Sequence, residues 1–186
     1  MVVSSNLRHV VYMLAVSSLV LGIAEAASLV VRQVGELKQF NGIPGLTHIT
    51  LAGAVNHGQK EVEAWVETII PGRGTPIHRH ELEEIFIVLK GSGTVYIAPG
   101  PESDKNFPGE PEAIPFSSNS TFSIPWNAVH QVINTNDEDL HVYVIISRPP
   151  MISYMYKDWN TPHDAAVSID LPWEKPEEST PTKDEL

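Results

Sequence analysis

The segment 72–91, GRGTPIHRHELEEIFIVLKG, constrains the fold most, because it can place three metal-binding side chains on one face of a strand. Side chains alternate between the two faces of a β-strand, so His78 and His80 point the same way. Glu84 keeps this parity if the strand continues through it. The opposite face of that strand then carries three apolar side chains, Ile85, Ile87 and Leu89. The pattern predicts a half-buried strand whose inner face offers two nitrogens and one oxygen to a metal ion.

A second segment, 125–134, supplies a further imidazole. Its sequence, PWNAVHQVIN, places His130 after a turn, at the start of an apolar strand. Three imidazoles and one carboxylate are donors that suit zinc, manganese, iron or nickel. We therefore predict a metal site formed by His78, His80, Glu84 and His130. The other histidines stand singly and are expected to be hydrogen-bonded or solvated: His9, His48, His57, His141 and His163.

Short β-branched or apolar runs separated by Gly, Pro, Asn and Asp predict an all-β fold, a sandwich or jelly-roll barrel. The runs are 46–52, 62–70, 84–89, 94–98, 123–124, 131–134 and 140–147. Between them, 99–111 has the composition of a loop and 135–139 that of a polar hairpin turn. Residues 28–42 can be extended or loosely helical, and the sequence leaves both open.

The N-terminal residues 1–26 have the pattern of a secretory signal peptide. One basic residue, Arg8, precedes an apolar run at 10–23, and small residues lead to a cleavage position after Ala26. An N-terminal membrane anchor is the alternative, but the run is short for a bilayer-spanning helix of ~20 residues. We expect cleavage, followed by no membrane insertion of the mature chain.

The last four residues, Lys183, Asp184, Glu185 and Leu186, form the KDEL signal that the KDEL receptor reads to retain proteins in the endoplasmic reticulum. With an entry signal at the other end, the sequence predicts the endoplasmic reticulum lumen, with some protein possible outside the cell. Residues 27–173 then form a single domain and 174–186 an acidic tail. Asn119 begins an Asn-Ser-Thr sequon and is a predicted glycosylation site.

The formal net charge of −11 makes nucleic acid and anionic membranes poor partners. The chain contains no cysteine, so no disulfide can support the fold in an oxidising compartment. Packing of the core, together with a bound metal, must stabilise the domain instead.

An aromatic wall beside the metal is a further hypothesis. Alternation puts Trp65 and Glu67 on one face of their strand, and Phe86 on the same face as Glu84. Ordinary core packing explains the two aromatic residues equally well. A divalent ion held by three imidazoles and one carboxylate keeps a net charge near +1, which attracts a small carboxylate.

Two motifs resemble those of the cupin superfamily. The first is a glycine, five residues on His-x-His, then Glu and a second glycine, matched at Gly72, His78, His80, Glu84 and Gly91. The second is matched at Pro125, His130 and Asn134. Asn127 stands at the glycine position of this motif, and Asn tolerates positive φ better than most residues. The resemblance implies a cupin β-sandwich.

Longer segments resemble the plant auxin-binding proteins of the endoplasmic reticulum, which are glycosylated, zinc-binding, homodimeric cupins that act as auxin receptors. The matching segments are 75–80, 83–94, 122–132, 138–150 and the terminal KDEL. The resemblance implies that the four metal ligands bind zinc and that the carboxylate of auxin coordinates the ion. It also implies that Trp65, Thr75, Pro76 and Phe86 enclose the aromatic ring, and that a short C-terminal helical segment closes the pocket.

Four features depart from the family pattern. Leu82 replaces a free cysteine, and the family's disulfide has no counterpart in this cysteine-free chain. The C-terminal closure is shortened, so that Trp173 becomes the candidate to contact the ligand. Glu67 replaces a neutral Gln near the ligand carboxylate. If Glu67 is ionised, it opposes binding, and we expect Glu67→Gln to tighten binding at least about tenfold at neutral pH.

Two other classes of protein share these donors. Germin-like cupins hold manganese on the same four ligands and catalyse oxalate oxidation or superoxide dismutation, so an enzyme is the alternative to a binding protein. A purely structural metal is the third interpretation. The flanking segments, the KDEL signal and the aromatic wall favour a non-enzymatic binding protein.

Overall fold

The computed structural model describes residues 31–169 and 171–175. The predicted signal peptide, the KDEL sequence and most of the acidic tail lie outside the described residues. The described part of the chain divides after Leu37 into two units, of which the first contains a single 3-10 turn, Val34–Glu36. No helix in these described ranges is long and apolar enough to cross a membrane.

The second unit is built from β-strands. In the described residues they are β1 (Gln39–Ile43), β2 (Leu46–Ala52), β3 (Val62–Ile69), β4 (His78–His80), β5 (Glu84–Lys90), β6 (Ser92–Ala98), β7 (Glu112–Ser117), β8 (Thr121–Ile124), β9 (Val129–Ile133), β10 (Leu140–Ser147), β11 (Ser153–Met155) and β12 (Val167–Ile169). One helical turn, α1 (Ala54–His57), and 3-10 turns at His163–Ala165 and Pro172–Glu174 complete the unit.

The strands form two six-stranded sheets. Sheet 1 has the order β1-β2-β3-β10-β5-β8, and sheet 2 has the order β12-β11-β4-β9-β6-β7. Buried side chains of both sheets share one core, including Trp65, Phe86 and Val144 of sheet 1 and Val95 and Val132 of sheet 2. This architecture is the all-β sandwich expected from the sequence, and its C-terminal helical segment is the 3-10 turn Pro172–Glu174.

The register of sheet 1 shows how its inner face is built. Val144 on the central strand β10 lies opposite Trp65 of β3 on one side and opposite Phe86 of β5 on the other. All three are buried, so they form a continuous apolar row across the sheet. The 3-10 turn containing Trp173 is separated from this row along the chain, yet Trp173 belongs to the same core cluster.

Two expectations about connections are wrong. The strand of His78 and His80 does not continue through Glu84, because β4 ends at His80 in sheet 2 and β5 begins at Glu84 in sheet 1. The turn between them carries the chain from one sheet to the other, and Leu82 in this turn is buried. Residues 135–139 are not a hairpin turn, because β9 and β10 also lie in different sheets.

Asn134 shapes this second crossing. Its side-chain nitrogen donates hydrogen bonds to the backbone oxygens of Ile69 and Glu138, each at 2.8 Å, while its side-chain oxygen accepts one from the backbone nitrogen of Asn136. The amide is completely buried, so these bonds compensate for its lost hydration. At this point the side chain of a buried asparagine makes the hydrogen bonds that the backbones of two paired strands would make in a hairpin.

The outer face of sheet 1 is apolar. Ile85, Ile87 and Leu89 of β5 are exposed by 42%, 39% and 44%, as the alternation predicts. On the neighbouring strand, Tyr143 lies opposite Ile87 and Ile145 lies opposite Ile85, so the apolar surface continues onto β10. Adjacent exposed apolar residues of this kind are typical of a face that another surface covers.

Candidate metal centre and ligand pocket

Three histidines of sheet 2 converge between the sheets. His78 and His80 alternate with Arg79 on β4 and face inward, and His130 on β9 lies directly opposite His78. The three imidazoles are buried, and their candidate ligand nitrogens all lie within 4.8 Å of one another. Their spacing matches a group that can hold one metal ion.

Backbone carbonyls fix the orientation of all three rings. The Nδ1 atoms of His78, His80 and His130 lie 2.9, 3.3 and 3.0 Å from the backbone oxygens of Pro76, Leu82 and Ala128. A carbonyl oxygen can only accept a hydrogen bond, so each Nδ1 carries the hydrogen and donates it. Nε2 is then the nitrogen available to a metal, which is the arrangement found in protein sites where imidazole is a ligand. The donor set therefore fits a divalent ion.

Glu84 reaches this group from the opposite sheet. Its Oε2 lies 3.2 Å from Nε2 of His80 and 3.1 Å from Nε2 of His130. The first contact is a hydrogen bond, whereas the second is close enough for an ionic contact without hydrogen-bond alignment. The four predicted ligands thus meet in one place, with three nitrogens from sheet 2 and one carboxylate from sheet 1.

Burial and charge act in opposite directions on these groups. Burial favours the neutral carboxyl of Glu84, but His80 and His130 outweigh it and hold the pKa of Glu84 well below its usual range. Burial likewise disfavours charge on His80, yet the carboxylate of Glu84 raises the pKa of this histidine. For His78, burial and the two neighbouring histidines lower the pKa well below 6.5. An ionised Glu84 beside a neutral His78 is ready to bind a cation.

A pocket opens beside the metal group. Its wall contains all six residues predicted to contact a ligand, Trp65, Glu67, Thr75, Pro76, Phe86 and Trp173, together with His78 and Glu84. Sequence reasoning missed Ile43, Leu46, Met151, Ser153, Met155 and Leu171, which complete the wall. The inward alternation of β11 would have indicated Ser153 and Met155 had that short strand been recognised.

The cavity is small, about 30 Å³, which is room for about two water molecules. Trp173 lines this cavity, and its ring stacks on His48 with centroids 3.9 Å apart and planes 12° apart. Two long hydrogen bonds of 3.4 Å tie its turn to the sandwich, from Asn56 to the oxygen of Trp173 and from Met151 to Glu174. A cavity of this size is too small for an aromatic ring, so an aromatic ligand requires the pocket wall to open.

His48 differs from the expectation of an ordinary solvated or fully hydrogen-bonded histidine. It is completely buried between Trp173 and Trp65, and burial lowers the pKa of this imidazole to about 3. Nε2 makes a 2.8 Å hydrogen bond with Thr50, while Nδ1 has no hydrogen-bond partner in the described parts of the chain. Alternation along β2 indicates that His48 points inward, but it cannot indicate the stack on Trp173, which is distant in sequence. His163 is likewise buried with Nε2 unpaired among the described residues.

Glu67 faces the pocket, as predicted, but in an environment that favours its neutral form. Its Oε1 accepts a 2.9 Å hydrogen bond from Nε1 of Trp65. Burial raises the pKa of Glu67 to about 8 and the charge of Glu84 adds to the rise, while the bond from Trp65 opposes it. In the metal-free protein, Glu67 is therefore neutral at neutral pH. The expected repulsion of a ligand carboxylate by Glu67 concerns the metal-loaded protein and stays a prediction.

Two asparagines in turns adopt the left-handed conformation. Asn127, at the glycine position of the second motif, has φ 58°, and its side-chain oxygen accepts a 2.7 Å hydrogen bond from Arg79. Its backbone nitrogen donates to the oxygen of His80, which ties the turn before His130 to β4. Asn119 has φ 66° in the exposed turn between β7 and β8, where an enzyme can reach its side chain.

The chain is similar in sequence to proteins of one family. The family model described as auxin binding protein matches residues 22–186. Auxin-binding protein 1 of Arabidopsis thaliana is 52% identical over 159 residues, covering 84% of this chain and 79% of that protein. Auxin-binding protein T85 of Nicotiana tabacum is 48% identical over 190 residues, covering 96% and 99%.

Solved structures share the fold at low identity. An oxalate decarboxylase of Lactobacillus farciminis, crystallised with formate, superposes with a TM-score of 0.55 at 19% identity, covering 67% of this chain and 35% of its own. A sugar phosphate isomerase of the cupin superfamily from Silicibacter pomeroyi gives a TM-score of 0.51 at 15% identity, covering 68% and 81%. These likenesses identify the cupin fold.

The neutral form of Glu67 generates a stability prediction for the metal-free protein. Folding raises the pKa of Glu67 from 4.5 to about 8. The contribution of this carboxyl to the free energy of unfolding is therefore fully present below pH 4.5 and is lost as pH rises through about 8. Gln does not ionise, so Glu67→Gln removes this loss. Between pH 5 and 9 the unfolding free energy of the variant should rise relative to that of the wild type, by up to about 5 kcal/mol. Urea unfolding of both proteins across this range measures the gain. A difference in unfolding free energy that is independent of pH would contradict a buried neutral Glu67.

Proposed function

The chain belongs to the auxin-binding protein family, and on that premise we propose that it is a metal-dependent binding protein for auxin. The observation that carries the proposal is the group of three buried imidazoles, of which His78 lines a pocket walled by Trp65 and Phe86. We infer that the ligand is indole-3-acetate or a similar aromatic carboxylate, and that the protein acts as a receptor rather than as an enzyme.

The metal would be zinc, held by His78, His80, His130 and Glu84. When bound, a divalent ion supplies a positive centre that a carboxylate can coordinate. The protein's part is to fix the orientation of the three rings through backbone carbonyls and to keep Glu84 ionised beside His80. The proton that Nε2 of His80 shares with Glu84 must leave before this nitrogen can bind the metal. Trp65 and Phe86 then offer apolar surface to the aromatic ring on the sheet 1 side of the pocket.

Further proposals concern where the protein acts. We infer entry into the endoplasmic reticulum through residues 1–26, glycosylation at Asn119 and retention by the KDEL receptor through Lys183–Leu186. The exposed turn at Asn119 supports the proposed glycosylation.

We also infer a homodimer formed through the outer face of sheet 1, since three exposed apolar side chains of β5 lie beside Tyr143 there.

Metal analysis of protein expressed in the secretory pathway tests the cofactor. One zinc per chain is expected, and the double change His78→Ala with His80→Ala should abolish it, because two of three imidazoles are lost. Zinc affinity should fall below about pH 6, where imidazoles take up protons. The change His57→Ala, on α1, is the matched control that should leave zinc in place. Stoichiometric manganese with oxidase or dismutase turnover would favour an enzyme instead, and zinc retained at pH 4 would contradict the ligand set.

Calorimetric titration of indole-3-acetate into the zinc-loaded protein tests the ligand. Binding should require the metal and should disappear in the double histidine variant. In the zinc-loaded protein, the affinity of the wild type should fall relative to that of Glu67→Gln as pH rises, because ionised Glu67 repels the carboxylate. A bound cation lowers the pKa of Glu67, so this fall should begin below about pH 8, the pKa in the metal-free protein. Equal affinities of the two proteins at every pH would show that Glu67 carries no charge when the ligand is bound. Absence of binding by both would point to the missing disulfide and the shortened C-terminal closure, and would count against auxin as the ligand.

Equilibrium ultracentrifugation tests the assembly. The wild type should be a dimer at micromolar concentration, and Ile87→Lys should yield monomers, because a charge would be buried at the centre of the apolar face. Val167→Lys is the control, since this side chain is 63% exposed on β12 of the other sheet. A monomeric wild type, or a dimer that survives Ile87→Lys, would exclude this interface.

A further inference from the structure

Ser153 stands out among the buried hydroxyl groups. In the described residues these belong to Thr50, Thr75, Ser153 and Tyr156. The hydroxyl of Tyr156 accepts a 2.9 Å hydrogen bond from Nε of Arg79 and lies 2.9 Å from Nδ1 of His163. The hydroxyl of Thr50 bonds with His48 at 2.8 Å, and that of Thr75 accepts a bond from the backbone nitrogen of Val132 at 3.0 Å. Oγ of Ser153 has no hydrogen-bond partner within the described ranges, although the residue is only 1% exposed. An unpaired buried hydroxyl costs free energy, so its presence calls for a partner that binds there.

The sheet register places this hydroxyl beside the metal group. Ser153 of β11 lies directly opposite His80 of β4, and both side chains point into the space between the sheets. Cβ atoms of such opposed residues are about 4.5–5.5 Å apart. Next along the strand on the same side, Met155 lies opposite His78. Ser153 also forms part of the pocket wall, so its hydroxyl borders both the imidazoles and the ligand space.

The chemistry of a metal-bound carboxylate matches this position. When one carboxylate oxygen coordinates an ion, the other needs a hydrogen-bond donor in a site that excludes water. The pocket has room for about two water molecules, so a carboxylate oxygen can replace water at the Ser153 hydroxyl. On sheet 1, Oε2 of Glu67 is also buried without a hydrogen-bond partner among the described residues, but it can donate only while Glu67 holds its proton. The hydroxyl of Ser153 can donate whatever the protonation state of Glu67.

We propose that Ser153 is a ligand-binding residue whose hydroxyl donates a hydrogen bond to the carboxylate of the metal-bound ligand. The inference rests on the proposed function, because it assumes a carboxylate at the metal. It assigns to β11 a part in recognising the acid group, while Trp65 and Phe86 contact the ring. Since the bond involves the carboxylate alone, it acts equally on aromatic and simple acids.

Two probes and two variants of Ser153 test this role in the full-length, metal-loaded protein. Ser153→Ala should weaken binding of acetate and of indole-3-acetate by the same factor, about tenfold, because one charge-assisted hydrogen bond is lost. Ser153→Thr, which keeps the hydroxyl, should bind within about threefold of the wild type. Cobalt(II)-loaded protein reports binding of both acids through its visible absorption, and calorimetry confirms the value for indole-3-acetate.

Thermal unfolding of the same proteins separates a ligand contact from a structural role. Loss of an unpaired hydroxyl should leave the melting temperature of Ser153→Ala unchanged or raised. Thr75→Val is the matched control, because its hydroxyl has a backbone partner and its loss should lower the melting temperature by about 2–4 °C.

Each remaining outcome has a definite meaning. Wild-type affinity for both acids in Ser153→Ala, or a melting temperature lowered together with metal content, overturns the role of Ser153. Binding of acetate but not indole-3-acetate by the wild type refutes the proposed function, and the acetate titration of Ser153→Ala still decides the role of Ser153. Binding of neither acid refutes both.

Discussion

The contact of Glu84 with His80 and His130 joins the two sheets at the point where the pocket forms. The histidines belong to sheet 2 and the carboxylate to sheet 1, so their separation depends on how the sheets pack. In a chain without cysteine, this polar contact lies within the apolar core, where an unpaired Glu84 would be costly. A metal ion at the same place would link both sheets through its ligands, so that metal binding and folding are coupled. The shape of the pocket depends on this contact, because Trp65 and Phe86 lie on the same sheet as Glu84.

Local patterns predicted those parts of the site that depend on alternation along one strand. The inward positions of Trp65, Glu67 and Phe86 follow from parity, as do the outward positions of Ile85, Ile87 and Leu89, and the two histidine motifs come together as their spacing indicates. The boundaries of β2 and β10 were also predictable, because β-branched runs there end at polar or small residues. What could not be predicted is which sheet each strand joins. The same parity of His80 and Glu84 arises from a continuous strand and from two strands separated by the turn at Leu82.

Short or polar strands escaped prediction for a related reason. β7 contains a proline and has no buried residue, and β11 and β12 have three residues each, so they give no periodic signal of their own. Pairing with neighbours makes them strands, since β11 lies between β4 and β12. The stack of His48 on Trp173 is another long-range feature, because it joins residues 125 positions apart through packing alone. Ser153 illustrates the cost of such omissions, as recognising its role requires knowing that β11 pairs with β4.

The charge balance of the pocket determines which ligands it can accept. A divalent ion with three neutral imidazoles and the carboxylate of Glu84 retains one positive charge, enough to favour an anion. Ionisation of Glu67 would cancel that charge and leave the pocket without electrostatic preference for a carboxylate. In the metal-free protein, burial and the nearby Glu84 raise the pKa of Glu67 to about 8, against the hydrogen bond from Trp65. A bound cation lowers this pKa again, so metal and glutamate compete over the proton. The pocket therefore favours an anion only while Glu67 holds its proton. The burial of Glu67 among residues such as Trp65 favours this protonated form, so burial helps to determine which class of ligand the pocket accepts.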